Sequence, residues 1–377
     1  MSALPYAFLE QIWNAPLQLT QMEWIAIDLP QKEVFQSGIG KRTSKQTIII
    51  KVVDKNGQIG YGECPCRPDP FYSAEFLDAV KQLLEQFILP ILTSSKTYGA
   101  FQQNLSKIRG WPFAKAAIDF ALLSLLSHRM SIFESIPWPK VTQIPPGISL
   151  GLKTVEARIQ QAAQQKYKRL KFKINPAFPL DEFKELNLAP YHIPLLFDAN
   201  GTLSLNDSAL IEEIANMGIA IEQPFPPGRL DWCMEAKKDI PSLKICLDEE
   251  IKGLGQLKIA HQLSIVDEVN LKPGRVGGLI PSLDIIEYCN IHHIDCWVGG
   301  MFETGFGRIT NMQFAALLPN AKAHDISPAS RYFDEDIIQN VIEMNNEGYL
   351  DYLPYSFNVV DDILEKYSQE KRTFFIH

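Results

Sequence analysis

Short apolar runs recur between Ile148 and Asp325, and a polar or charged residue closes most of them. Five of these closing residues follow one another at steps of 25, 24, 26 and 24 residues, namely Lys173, Asp198, Glu222, Asp248 and Lys272. One strand, one loop and one covering helix fill such a step, so the spacing predicts a TIM-like (β/α)7β barrel. In that fold the closing side chains all face one mouth.

The first third of the chain has a different pattern. Residues 24–27 alternate weakly, residues 47–53 are strongly β-forming, and Asn56-Gly57 is a hairpin signal before a third run at residues 58–63. Helical periodicity follows over residues 73–130. These patterns predict an antiparallel meander covered by helices, which is an α+β unit.

The domain organisation follows from these changes of pattern. We expect an N-terminal extension at residues 1–23, an α+β capping domain at 24–140, the barrel at 141–330, and a segment at 331–377 that returns to the capping domain. Four prolines crowd the expected boundary, namely Pro137, Pro139, Pro145 and Pro146.

Composition narrows the class of function. The 377 residues include 46% hydrophobic and 21% charged residues, with a net charge of −8, and no run of Lys or Arg suggests a nucleic-acid partner. No secretory signal and no stretch of about 18 apolar residues is present, so we expect a cytoplasmic protein without a membrane partner. The six cysteines are dispersed, which disfavours both a zinc site and a disulfide framework.

Three of the closing residues are carboxylates on consecutive strands. In a closed barrel Asp198, Glu222 and Asp248 would be neighbours at one rim. Three oxygen-only anionic ligands suit a hard divalent cation such as Mg²⁺, with Mn²⁺ as a possible substitute, better than Zn²⁺. The alternative is that each is a solvated acid at a strand end.

Lysines flank these acids on both sides. Lys171 and Lys173 are two apart on one strand and therefore face the same way, and Lys272 closes the sixth strand on the far side of the acids. A lysine close to a cation and a second ammonium loses affinity for its proton and becomes a plausible general base. The arrangement is typical of proton removal next to a carboxylate, where a cation stabilises the enediolate. Each lysine alone would serve equally well in a salt bridge.

Several motifs in this chain resemble those of the enolase superfamily. They are Lys171-x-Lys173, Asp198-Ala199-Asn200, Glu222-Gln223-Pro224, Asp248-Glu249 and Lys272-Pro273-Gly274-Arg275. Within that superfamily, the stretches at residues 299–308 and 325–333 resemble the branch of o-succinylbenzoate synthases and N-acylamino acid (N-succinylamino acid) racemases. The same branch also shows the motifs at residues 61–63 and 71–73.

The resemblance implies a role for each matching residue. Asp198, Glu222 and Asp248 would be Mg²⁺ ligands, Lys173 the base, and Lys171 a support for the base and the substrate carboxylate. Lys272 would stabilise the intermediate, or act from the opposite face in racemisation. The implied substrate pocket contains Ser149, Asn200, Arg275, Gly299, Gly300 and Met301. The segment from Gly38 to Lys41 would be a lid, and Glu250 and Ile39 depart from the family pattern.

The resemblance leaves more than one activity open. The first is dehydration of 2-succinyl-6-hydroxy-2,4-cyclohexadiene-1-carboxylate, an o-succinylbenzoate synthase reaction of menaquinone biosynthesis. The second is racemisation of N-succinylamino acids at the same site. A non-catalytic ligand-binding barrel and a Schiff-base aldolase remain as further alternatives. Each of the enzymatic hypotheses implies a small-molecule substrate, which is a carboxylate in the first two. We also expect a homo-oligomer.

Overall fold

The computed structural model describes residues 6–37, 40–150, 155–186, 191–339 and 342–376. Within these residues, one antiparallel sheet has four strands in the order β13-β1-β2-β3. Its strands are β1 (Leu19–Ser37), β2 (Gly40–Asp54), β3 (Ile59–Cys64) and β13 (Ser368–Phe375). The predicted hairpin joins β2 to β3, with Gly57 at φ 76°. β1 begins at Leu19, five residues before the first predicted strand.

Helices accompany this sheet, and one of them packs directly on it. They are α1 (Glu10–Trp13), α2 (Leu77–Leu83), α3 (Leu89–Ser94), α4 (Tyr98–Leu105) and α5 (Pro112–Ser127), with a π-helical turn at Leu84–Ile88 and a 3₁₀ turn at Ala7–Leu9. α5 is buried along most of its length because it packs directly on β3. A Cβ on Gly62 would lie 2.1 Å from the carbonyl oxygen of Ala117, so only glycine allows this approach.

A second sheet is parallel and forms the barrel. In the part of the chain that the structure describes, it has seven strands in sequence order. They are β5 (Gly147–Leu150), β6 (Arg169–Lys173), β7 (Leu195–Asp198), β8 (Ala220–Glu222), β9 (Ile245–Leu247), β10 (Glu268–Leu271) and β11 (Asp295–Val298).

An eighth segment closes the barrel between β11 and β5. The backbone N–H of His324 donates to Pro145 (2.8 Å), and the backbone N–H of Asp325 donates to Val298 (2.9 Å). A parallel bridge pairs His324 with Pro146. The TIM-like (β/α)7β barrel with an α+β capping unit is therefore confirmed, whereas the exact domain boundaries stay a prediction.

The remaining helices and short strands surround the barrel. The helices are α6 (Val155–Gln164), α7 (Leu180–Lys184), α8 (Ser208–Asn216), α9 (Leu230–Asp239), α10 (Leu254–Gln262), α11 (Pro273–Val276), α12 (Leu279–His292), α13 (Gly305–Ala316) and α14 (Asp361–Tyr367), with 3₁₀ turns at Leu205–Asp207 and Ala329–Arg331. β4 (Gln143–Ile144) pairs with β12 (Leu350–Asp351). None of the described helices is long and apolar enough to cross a membrane.

The antiparallel unit is fastened to the barrel by buried polar contacts. The carboxylate of Glu63, on β3, accepts hydrogen bonds from the backbone N–H groups of Thr304 (3.0 Å) and Gly307 (3.1 Å) at the start of α13. The ammonium of Lys45 donates to the carbonyl oxygen of Met301 at 3.0 Å. These contacts hold the first unit over the carboxyl ends of the barrel strands, since residue 301 follows β11 directly.

Candidate active site

The closing residues lie together at the carboxyl-terminal edge of the barrel. β6 ends at Lys173, β7 at Asp198 and β8 at Glu222, and these three residues are paired in register across the sheet. Asp248 and Lys272 each stand one residue beyond their strands. The structure therefore brings all five to one mouth.

Two of the lysines stand on opposite sides of this mouth. In one direction β7, β8 and β9 separate β6 from β10. In the other direction the separating segments are β11, the closing segment at His324, and β5. Three segments on either side place Lys173 and Lys272 across the barrel from each other.

On the first side, Lys173 is partly open to solvent. Its ammonium lies 2.6 Å from Asp198 Oδ2 and contacts Asn200 Oδ1, and 30% of its side chain is exposed. Asn200 has φ 44° and donates from its amide to Glu249 at 3.0 Å. This turn directs the Asn200 side chain back toward Lys173, so the amine is oriented but still accessible.

Lys171 is buried beside Lys173 and surrounded by acids. Its ammonium lies 2.9 Å from Glu222 Oε2 and 3.5 Å from Asp198 Oδ2, and it contacts Asp325. Burial alone would lower the pKa of Lys171, but the three carboxylates raise it well above its usual value. Lys171 therefore stays charged, and its role in holding the substrate carboxylate stays a prediction.

On the second side, Lys272 is held tightly. Its ammonium lies 2.8 Å from Asp248 Oδ2 and 3.4 Å from the Tyr72 hydroxyl, and only 11% of its side chain is exposed. Burial would lower the pKa of Lys272, yet Asp248 raises it above the ordinary value. Arg275 contacts the other oxygen of Asp248 and donates to Tyr72 at 3.1 Å. Asp248 thus faces two cations.

The predicted metal ligands form ion pairs with lysine and arginine side chains. As the described side chains stand, no three His, Cys, Asp or Glu residues form a group that could hold a metal ion. Asp198, Glu222 and Asp248 each face an ammonium or guanidinium group instead. Their assignment as ligands stays a prediction.

The chemistry of this acidic set nevertheless fits a hard cation. All its donors are carboxylate oxygens at neighbouring strand ends. Burial, together with Asp198, raises the pKa of Glu222 to about 8, and Asp248 and Asp325 contribute to that rise. A carboxylate so crowded by negative charge is stabilised by an added cation.

The predicted pocket residues surround the same edge. Ser149, on β5, accepts a hydrogen bond at its carbonyl from Arg331 (2.9 Å), and Met301 accepts one from Lys45. A Cβ on Gly299 would lie 2.0 Å from Asn270 Oδ1, and one on Gly300 would lie 2.8 Å from Glu303 Oε2. These glycines therefore let other side chains approach the backbone after β11, and the substrate contacts stay a prediction.

Of the two departures from the family pattern, Glu250 lies within the described residues and Ile39 does not. Glu250 accepts a hydrogen bond from the backbone N–H of Gly228 at 2.6 Å. The predicted lid from Gly38 to Lys41 includes Gly38 and Ile39, which lie outside the described residues. The lid stays a prediction.

Two residues that contact the site, Tyr72 and Asn270, were not predicted as site residues from the sequence. Tyr72 reaches both Lys272 and Arg275, and Asn270 donates to Glu222 Oε1 at 2.7 Å. Asn270 could have been found because it is two residues before Lys272 and so faces the same way. Tyr72 lies in a loop without periodicity, and no local pattern indicates its contact with a residue 200 positions later.

A cavity of about 720 Å³ lies at the other mouth of the barrel. The starts of the strands line it, including Arg169, Leu195, Ala220, Glu268 and Asp295, whereas none of the three predicted metal ligands does. Catalytic groups of such barrels lie at the carboxyl ends of the strands. The mouth that contains Lys173, Asp198 and Glu222 is therefore the better candidate for the active site.

The fold and the site together define a capped α/β barrel with a row of strand-end carboxylates between two lysines. Residues 154–351 match the family described as Enolase C-terminal domain-like, and the chain belongs to this family.

Similar proteins carry two names. The chain is 33% identical over 332 residues to an o-succinylbenzoate synthase of Listeria innocua, an alignment that covers 85% of this chain and 88% of that relative. It is 28% identical over 333 residues to an N-succinylamino acid racemase of Amycolatopsis sp, covering 86% and 90%. A crystal structure of an enolase superfamily member from Listeria innocua superposes with a TM-score of 0.88 at 29% identity, covering 95% and 99%.

Proposed function

We propose that the chain is an o-succinylbenzoate synthase, a lyase of menaquinone biosynthesis. Its reaction would be the syn-dehydration of 2-succinyl-6-hydroxy-2,4-cyclohexadiene-1-carboxylate to 2-succinylbenzoate. The relatives that bear this name and the strand-end arrangement of acids and lysines support the proposal.

Lys173 carries the proton in this mechanism. Its neutral amine takes the proton from the carbon next to the carboxylate, and the electron pair of that C–H bond moves into an enediolate. The ammonium so formed returns the proton to the departing hydroxyl group on the same face, and water leaves as the C–O bond breaks. The ring becomes aromatic, and Lys173 ends in its starting state.

Lys171 and Lys272 act as fixed cations. Both are buried against carboxylates, so neither has to gain or lose a proton during the reaction. Their positive charge stabilises the negative charge that develops on the substrate carboxylate. Asn200 orients Lys173 through the contact of its amide oxygen with the amine.

We infer that the reaction requires Mg²⁺, with Mn²⁺ as a substitute. Asp198, Glu222 and Asp248 would hold the ion, because they are the oxygen donors at neighbouring strand ends. When bound, the ion supplies Lewis-acid stabilisation of the enediolate charge.

One observation favours dehydration over racemisation: the side chains of the two lysines differ in solvent exposure. Lys173 has 30% of its side chain exposed, whereas Lys272 has 11% and is enclosed by Asp248 and Tyr72. Dehydration needs only one lysine to transfer protons. Racemisation needs both, one on each face.

A second candidate is N-succinylamino acid racemisation. The position of Lys173 and Lys272 on opposite sides of the mouth favours it, because exchange of a proton between two faces requires that geometry. The racemases among the relatives support the same candidate.

A direct comparison of substrates tests the proposal. Purified protein with Mg²⁺ is assayed on the cyclohexadiene acid and on both enantiomers of N-succinylphenylglycine, and the values of kcat/KM are compared. We expect the larger kcat/KM for dehydration. Exchange of solvent deuterium into both enantiomers at a higher kcat/KM would favour the racemase, and no turnover of either substrate would refute both.

Two further expectations are also proposals. We propose a cytoplasmic location, and the enzyme names of the relatives support it. A homo-oligomer is tested by light scattering of the purified chain, where a monomer mass would refute it.

A further inference from the structure

Lys171 is held from both sides of its strand. Glu222, at the end of β8, lies two strands after β6, and its Oε2 is 2.9 Å from the ammonium. Asp325, in the closing segment, lies two positions before β6, and its Oδ2 contacts the same ammonium. An ammonium has three N–H donors, and here they face Glu222, Asp325 and, at 3.5 Å, Asp198.

Asp325 is itself anchored from below. Its Oδ1 accepts a hydrogen bond from Arg169 Nη2 at 2.9 Å. The Arg169 guanidinium lies 3.8 Å from the ring centroid of Trp297, and the Lys171 ammonium lies 5.3 Å from the same centroid. Arg169 is 95% buried, since only 5% of it is exposed. The carboxylate of Asp325 therefore bridges Arg169 and Lys171 inside the barrel, and both cations lie near the Trp297 ring.

The neighbouring backbone leaves room for this contact. A Cβ on Gly147 would lie 3.3 Å from Asp325 Oδ1, which is closer than side chains normally pack. Gly147 is the β5 partner of Arg169 in the sheet. A glycine at this place thus permits the approach of Asp325 to Arg169.

We propose that Asp325, held by Arg169, is a positioning residue that keeps the Lys171 ammonium from moving fully onto Asp198 and Glu222. These two carboxylates are the proposed metal ligands, so the inference rests on the proposed function. A charge-free side chain at position 325 leaves the ammonium attracted from one side only. Lys171 then competes with Mg²⁺ for the same oxygens, and metal affinity falls.

Metal binding in the full-length protein tests this without any substrate. Isothermal titration with MgCl₂ is carried out on the wild type and on Asp325→Asn, and we expect a rise of about tenfold in Kd, the lower end of the effect of outer contacts on metal sites. Asp336→Asn is the matched control, because the Asp336 carboxylate accepts hydrogen bonds from the backbone of Gly305 and Ile337. It is expected to leave Kd unchanged.

A double variant separates positioning from a merely structural role. In Lys171→Met the competing ammonium is absent, so adding Asp325→Asn should leave Kd unchanged. A fall in metal affinity of equal size in both backgrounds would overturn the inference, as would an unchanged Kd in Asp325→Asn alone. A general loss of folding is recognised by thermal unfolding of each variant in metal-free buffer, and Arg169→Lys, which keeps the charge, should retain more metal affinity than Arg169→Met.

The outcomes also distinguish this inference from the proposed function. Mg²⁺ binding with the expected coupling but no turnover of either substrate would refute the activity and leave the inference standing. Turnover with a kcat in Asp325→Asn equal to that of the wild type, and an unchanged Kd, would refute the inference alone. A wild type that binds no Mg²⁺ would overturn both the metal assignment and the role of Asp325.

Discussion

The two sides of the barrel mouth carry the same pair of groups, a lysine beside an aspartate, in different surroundings. Lys173 and Asp198 stand at the ends of adjacent strands, and the lysine shares its contacts with an amide and with solvent. Lys272 and Asp248 are enclosed by Arg275 and Tyr72. The surroundings therefore distinguish a lysine that is accessible from one that is held as a fixed charge.

Removal of the open lysine should have the largest effect. Lys173→Ala is expected to lower kcat of dehydration by about 10⁴-fold, because it removes the only group proposed to move the proton. Turnover is measured at saturating substrate and Mg²⁺. Lys184→Ala is the matched control, since Lys184 is on α7 and pairs with Glu213. Wild-type turnover in Lys173→Ala would end the assignment.

Substitution of Lys272 should affect racemisation and dehydration differently. Lys272→Arg keeps a positive charge but cannot give up its proton, so racemisation should fall by about 10²-fold or more while dehydration falls by about tenfold or less. Lys272→Met should abolish both. The two variants are compared by dehydration rate and by deuterium exchange into each enantiomer. Equal losses of the two activities in Lys272→Arg would show that the lysine does more than supply charge.

Stabilisation of the fold by Mg²⁺ should depend on carboxylates from both sides of the mouth. Mg²⁺ at about one hundred times its Kd is expected to raise the free energy of unfolding by about 2.7 kcal/mol. Asp198→Asn, on the open side, and Asp248→Asn, on the enclosed side, should each lose most of that gain. Chemical denaturation with and without the metal provides the values. A gain that survives in both variants would contradict their role as ligands.

His324, in the closing segment, belongs to neither side and should affect stability alone. Burial lowers the pKa of His324 to about 3, so the folded protein keeps a neutral imidazole whose Nδ1 accepts from Val298 N–H at 3.0 Å. Because the unfolded imidazole protonates near its ordinary value, this residue stabilises the fold fully above that value, and its contribution is lost as the pH falls toward 3.

The expected size follows from the shift. Between about pH 7.5 and about pH 5 the wild type should lose about 2 kcal/mol through His324. His324→Asn keeps an acceptor and should not show this part of the pH dependence. Urea unfolding of both proteins at the two pH values measures the difference. Identical pH dependence would contradict a neutral buried imidazole.

The barrel and the positions of its closing residues could be predicted because they depend on local patterns. Apolar runs define strands, and their near-constant spacing places Lys173, Asp198 and Glu222 at one edge. The partner of each charge could not be predicted in this way. Whether Lys171 contacts Asp325 or only Glu222 depends on barrel closure, and Tyr72 reaches the site from the other sheet.

The first sheet is completed by the last strand. β13 pairs with residues 21–27 of β1, so partners at opposite ends of the chain lie side by side. During synthesis on the ribosome, β1 has no neighbour on that edge until the barrel has been made. An unpaired edge invites association with other chains. We expect nascent chains to depend on a chaperone for this interval.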